Sequence, residues 1–334
     1  MGTSLTLGRV WRLLKEVDLE AVRREAARRV HLLVIGETTA DADDLAVRLA
    51  EGQDDPTAWL TAIDAGLGQL GPARSAAGGR EAVVDGPDIV VFVTRGADTS
   101  PEMTEARQQW LHRPVGLVTV ALASGAPSGL VHARDRSSRV AIDHLDEAGL
   151  GSVVDALFDV IEPDKRLAWA RQFPALRPKV YHALIDDTAR ANAAYAFSTG
   201  LAEVVPLLDI PLNIGDMVVL TKNQLMMAYR LALAAGKDGR PRDLLGEIVG
   251  VLGGGLLFRQ IARQLVGLVP VIGLVPKVAV AYGGTWAIGR AIVLWVTDGH
   301  KVAGRRLKEL TREGMTRGRA VARSLAKRQA PPAP

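Results

Sequence analysis

Apolar positions along the chain follow two different patterns. From His31 to Glu162, short apolar runs alternate with amphipathic stretches. His31–Gly36 (HLLVIG), Asp88–Thr94 (DIVVFVT), Val115–Leu122 (VGLVTVAL) and the weaker Ser138–Ile142 have strand length and aliphatic, β-branched content. Such unbroken runs are expected of strands covered on both faces. Ala40–Ala50, Pro101–Leu111 and Leu150–Ile161 carry helical periodicity between and after them. Alternating strands and helices predict a parallel sheet with helices on both faces. Gly66–Gly86, rich in Gly, Ala and Pro, predicts a loop. From Pro163 onward the pattern predicts helices only: Asp164–Gln172, Pro178–Thr199, Asp216–Ala235, Pro241–Phe258 and Val278–Val296. Asp216 suits an N-cap and Pro241 a first helical turn. The expected fold class is α/β followed by all-α.

Within the second half, Asp243–Thr297 is apolar, Gly-rich and poor in charge. Its small residues recur four apart, at Gly246, Gly250 and Gly254 and again at Ala279, Gly283, Ala287 and Ala291. On a helix this spacing makes a smooth stripe that admits a second backbone closely. The two stripes are expected to pack on each other, with Val280 facing elsewhere. No window in this region is a clean membrane span. Leu244–Phe258 is short and holds Glu247, Gln264–Gly289 holds Pro270, Pro276 and Lys277, and Ala279–Thr297 holds Arg290. A bilayer core needs about 20 apolar residues. A membrane hairpin with snorkelling charges is therefore the first expectation, and a Gly-packed soluble bundle the second.

Charge divides the chain further. His31–Glu162 carries nine arginines and no lysine against twenty-one carboxylates, a net of −12. Pro163–Pro334 carries twenty-five basic and twelve acidic side chains, a net of +13. This opposition predicts domains with different partners, or domains that attract each other. Leu7–Arg29 is expected to be an amphipathic helix with Val10, Leu13, Leu14, Val17 and Val22 on one side and arginines on the other. It suits packing on the next domain or lying on a membrane surface. Gly299–Gln329 is a basic helix or tail. Lys301, Arg305, Arg306, Lys308 and Arg312 stand beside the apolar region, where an anionic leaflet would attract them. The absence of stacking aromatics there disfavours nucleic acid. No cysteine is present, so disulfides and thiolate metal sites are excluded.

A strand ending in Gly36 and running into a helix is the setting of a phosphate-binding loop. That motif, G-x-x-x-x-G-K-[ST], needs a lysine and a hydroxyl. From Gly36 those positions hold Asp41, Ala42 and Asp43. Between His31 and Glu162 there is neither lysine nor asparagine, so no Asn-Lys-x-Asp guanine-reading motif exists there. Gly86-Pro87-Asp88 with the run that follows, Gly149-Leu150, and the order of elements across Val30–Glu162 resemble the G domain of small bacterial GTPases. The resemblance implies a degenerate, non-hydrolysing version. Nucleotide hydrolysis would need a cation brought to Gly36 from elsewhere, with Arg48 and Arg95 as candidates. Thr221–Gly236 (TKNQLMMAYRLALAAG), the Gly-rich stretch and Thr285–Gly289 (TWAIG) resemble the YcjF-like family of bacterial membrane-associated proteins, often encoded beside or fused to GTPase domains.

No histidine pair has metal-ligand spacing, and no nucleophile motif occurs. Asp41, Asp43 and Asp44 suit a charged helix start better than a cation site. The expected organisation is a basic N-terminal helix (1–30), a degenerate GTPase-like α/β domain (31–162), an apolar helical YcjF-like domain (163–298) and a basic C-terminal segment (299–334). The expected function is a scaffold or adaptor on the cytoplasmic face of the inner membrane, without catalytic, nucleotide, metal or cofactor sites. A GTPase or a second copy of the chain is its expected protein partner. The alternatives are a nucleotide hydrolase with an atypical loop and a soluble nucleic-acid-binding protein.

Overall fold

The apolar runs of the first half assemble into a six-stranded sheet in the computed structural model of the protein. The structure describes residues 14, 17–52, 60–64, 86–96, 100–123, 129–133, 136–202, 213–251, 274–299, 302 and 304–329. Its strands are β1 (Leu32–Gly36), β2 (Leu60–Asp64), β3 (Ile89–Arg95), β4 (Gly116–Leu122), β5 (Gly129–Ala133) and β6 (Ser137–Ile142). They stand in the order β2-β1-β3-β4-β6-β5. Five are parallel, and β5 pairs antiparallel with β6. The predicted runs became β1, β3, β4 and β6. The unpredicted strands are both at the edges, where only one neighbour donates hydrogen bonds. Leu60–Ile63 of β2 are half-buried, so that strand needs no long apolar run.

Period-two alternation sorts the strand residues onto two faces. Leu32 and Val34 of β1, with Val91 and Val93 of β3, join a core covered by α2 (Thr39–Ala50) and α4 (Glu147–Val160). Leu33, Ile35, Val90 and Phe92 face the other way, against Met103, Ala106 and Trp110 of α3 (Pro101–Trp110). Both faces are thus dry, as expected for a parallel sheet. A short α1 (Leu19–Ala26) precedes the sheet. Leu14 and Val22 of the predicted N-terminal helix are buried, whereas Val10 and Leu13 lie outside the described residues.

The chain divides into two compact units, Arg24–Val180 and Met1–Arg23 with Tyr181–Pro334. The α/β unit runs past Glu162. After a 3₁₀ turn (Pro163–Lys165) come α5 (Arg166–Gln172) and a second 3₁₀ turn (Pro174–Leu176). Ala168, Trp169, Phe173 and Leu176 complete the same core. An ion-pair chain fastens this extension: Lys165 Nζ lies 2.8 Å from Asp88 Oδ1 and 2.7 Å from Glu162 Oε2, and Arg136 Nη1 lies 2.6 Å from Glu162 Oε1.

The helical unit contains most of α6 (Arg177–Ala202), then α7 (Asn213–Ala234), α8 (Pro241–Val251), α9 (Leu274–Asp298) and α10 (Gly304–Gln329). The last seven residues of the predicted helix Pro241–Phe258 lie outside the described residues. Gly299, with φ +71°, ends α9 in the left-handed conformation that glycine tolerates, and its N–H bonds the Trp295 carbonyl at 2.9 Å.

Candidate functional site

Numbered among themselves, the five parallel strands follow the doubly wound order 2-1-3-4-5. In such sheets ligands bind outside the carboxyl ends of the strands, where the order reverses, which here is between β1 and β3. Every residue of the predicted phosphate loop lies at that point. The geometry there differs from a phosphate cradle in three ways.

First, only Glu37 and Thr38 separate β1 from α2, so Asp41, Ala42 and Asp43 lie inside the helix. The chain turns so tightly that a Cβ on Gly36 would run into the Thr38 carbonyl oxygen and stand 2.7 Å from Ala42 N. Glycine is required here by the turn. Second, Thr38 caps the helix. Its hydroxyl accepts from Asp41 N at 3.3 Å and donates to Asp41 Oδ2 at 2.7 Å, and its carbonyl accepts from Ala42 N at 3.3 Å. N–H groups that would cradle a phosphate oxygen already have partners. Third, the cation that arrives is bound. Arg95 Nε donates to both Asp41 oxygens at 3.0 Å and its Nη2 to Oδ1 at 2.8 Å. The two residues are 54 positions apart.

The Asp41 side chain is only 6% exposed. Burial pushes its carboxyl up, but hydrogen bonds from Arg95 and Thr38, with the Arg95 charge, outweigh that and hold it below the ordinary carboxylate range. Glu37 completes the closure: its Oε2 accepts from Arg95 N at 2.9 Å and its Oε1 from Ser100 N at 3.3 Å. Ser100 in turn caps α3, accepting from Met103 N. Glu37 was not singled out from sequence; a lone acid after a strand gives no signal. Arg48, the other candidate cation, pairs instead with Asp44 one turn back at 3.3 Å. Asp43 and Asp44 are exposed. Among the described residues no three histidines or carboxylates gather in a metal-holding arrangement.

In the helical unit, motif residues meet across α6, α7 and α9. Thr285 is fully buried. Its hydroxyl donates to the Ala281 carbonyl at 2.8 Å and accepts from Asn192 Nδ2 at 2.9 Å and Gln224 Nε2 at 3.1 Å. Asn223 Nδ2 donates to Asn192 Oδ1 at 2.7 Å. Gly289 admits Ile185, whose Cγ1 would lie 2.5 Å from an added Cβ. Tyr282 Oη donates to Asp186 Oδ1 at 2.7 Å. Burial and that carboxylate push the phenol up to about 12. Satisfied buried polar groups of this kind fix helix register.

The small-residue stripes are placed differently from expectation. Gly283 abuts Gly314 of α10: an added Cβ would stand 2.7 Å from its carbonyl carbon and oxygen. A Cβ on Gly318 would stand 3.0 Å from Ala279 Cα. These contacts pair α9 and α10 antiparallel, with Ala279 against Gly318 and Gly283 against Gly314. The expected pairing with the first stripe is thereby corrected. Gly250 meets nothing within 4 Å, Gly246 is half-buried, and Gly254 lies outside the described residues. Val280 is itself buried, as are Ala287 and Ala291, so most of α9 is buried and its stripe is not its only packing face.

Of the predicted surface cations, Arg305, Arg306, Lys308 and Arg312 are exposed along α10, and Lys301 lies outside the described residues. Arg290 and Arg317 stack on Trp286 at 6.0 and 5.0 Å. Among the described residues one helix, Val275–Asp298 of α9, is long and apolar enough to cross a membrane. Its apolar window is 89% buried, and the core helix of a soluble protein meets the same test. No family model, curated protein or solved structure matches the chain.

Proposed function

We propose that the protein is a non-catalytic adaptor or scaffold at the cytoplasmic face of a membrane, its α/β unit a G-domain-like module whose nucleotide site is closed by its own side chains. The observation that carries this reading is the bidentate Arg95–Asp41 pair at the β1–β3 switch point. It neutralises the cation a polyphosphate would need and sits where the phosphates would lie. The two-residue β1–α2 connection and the filled N–H groups of Asp41 and Ala42 support it further. Membrane association rests on the apolar composition of Asp243–Thr297 and on the resemblance of Thr221–Gly236 and Thr285–Gly289 to the YcjF-like proteins. The same resemblance suggests a GTPase as partner.

One observation favours the rival reading, an atypical nucleotide hydrolase: Arg95 does reach the loop. Its guanidinium, however, faces Asp41, and the motif position for the magnesium-holding hydroxyl is Asp43. Calorimetry of the full-length protein with magnesium and GTP, and again with ATP, separates the two. No binding tighter than about 100 µM is expected; micromolar affinity would sink the adaptor reading. Fractionation of cells, with carbonate extraction of the membranes, tests the location.

A further inference from the structure

We infer that α10 carries a docking surface for an anionic lipid bilayer, and that the contact is made by its cationic stripe rather than by insertion of α9. The inference rests on the adaptor reading above and names the surface by which the protein meets the membrane. Leu310, Gly314, Gly318 and Ala322 of α10 are buried. At about 100° per residue, the opposite side of the helix presents Arg305, Lys308, Arg312, Arg319, Arg323 and Lys327 within an arc of about 100°. All six are exposed. From Arg305 to Lys327 the stripe runs about 33 Å at about 1.5 Å per residue.

Of the two acids of α10, Glu309 stands at the edge of this arc and Glu313 beyond it. Glu309 pairs with Arg305 and Arg306, and Glu313 with Arg317. Lys308, Arg312, Arg319, Arg323 and Lys327 have no acidic partner among the described residues. A row of exposed cations on a rod, in which only Arg305 is paired with an acid, complements a flat, diffuse field of negative charge. Lipid phosphates supply such a field, at about 1 kcal/mol per basic residue near the surface. Between Arg305 and Lys327 there is no Asn, Gln or aromatic residue, so the amide and stacking contacts by which proteins read bases are absent. The helix beneath the stripe contributes no apolar contact of its own, because most of α9 is buried.

The test is vesicle co-sedimentation of the full-length protein. Vesicles are phosphatidylcholine alone, or phosphatidylcholine with about one third phosphatidylglycerol, from about 50 to about 500 mM salt. The wild type should bind only the anionic vesicles and be released by salt. The triple variant Arg312→Gln, Arg319→Gln, Arg323→Gln should lose on the order of 100-fold in affinity. Replacing the exposed Arg48, Arg113 and Arg139 by Gln should leave binding unchanged. Equal binding of wild type and stripe variant, equal binding to neutral vesicles, or tighter binding to a short DNA duplex than to anionic vesicles would each overturn the inference. Fractionation of cells expressing both proteins separates the two levels. A stripe variant that stays with the membranes overturns the docking surface and leaves the adaptor reading standing. A wild type that is soluble in cells and silent on vesicles overturns both.

Discussion

A carboxylate shielded from water is costly unless its charge is answered, and Asp41 is answered from 54 positions away. Arg95→Ala removes the answer and leaves the burial. In the wild type the folded carboxyl lies below its ordinary value. It therefore contributes stability above the unfolded value of about 3.9, and that contribution is lost as pH falls through the lower folded value. In the variant only the Thr38 bonds oppose burial, and the advantage shrinks or reverses. Arg95→Ala should thus melt below wild type at pH 7, and the gap should close as pH falls below about 4. Parallel melting curves across that range would mean that the pair does not hold the loop. Gly36→Ala is a second test at this scale, because the added Cβ meets backbone atoms of Thr38 and Ala42. A loss of about 1–3 kcal/mol by denaturant unfolding is expected; an unchanged midpoint would show that the turn relaxes. The loop's failure as a phosphate motif was legible from Asp41, Ala42 and Asp43. The pairing of Arg95 was not, since nothing local marks which distant cation will answer a buried acid.

Small residues four apart announce that helices approach closely, but the spacing does not name the partner. Three such runs concern the apolar region: one begins at Gly246 and Gly250, a second at Ala279 and Gly283, and a third at Gly314 and Gly318. The third was hidden by the cations around it, which made α10 read as a basic tail. The structure turns on that third run. Gly283→Ala would place a Cβ 2.7 Å from the Gly314 carbonyl, with backbone on the other side that cannot rotate away. A loss of about 1–3 kcal/mol is expected, and more for Gly283→Leu. Gly250→Ala, on an exposed position of α8 with open space around it, should be neutral or stabilise by up to about 1 kcal/mol. Thermal melts of the two alanine variants side by side test the pairing, and equal shifts would remove it. Strands show the same division between legible and hidden. Central β1, β3 and β4 were visible as apolar runs because both faces are covered. The edge strand β2 is only half-buried, so its sequence carries weaker apolar demand.

At the scale of the whole molecule, the most apolar helix is mostly buried and the most basic one packs against it. Removing α10 tests this arrangement. A chain ending at Asp298 would uncover the side of α9 that holds Ala279, Gly283 and Trp286, together with the ring face on which Arg317 stacks. A contiguous apolar surface of that kind seeks a partner, a bilayer or another copy of itself. The truncated protein should therefore be recovered as aggregate or only with detergent. The α/β unit has its own two-faced core of strands and helices and should keep a separate melting transition. Size-exclusion chromatography and calorimetry read these two outcomes independently. A monodisperse truncated chain with unchanged helical-unit melting would mean that α10 is an appendage. A loss of both transitions would mean that the two units fold only together. Loss of the helical transition alone is expected, because α9 and α10 meet backbone to backbone and neither can satisfy that surface without the other.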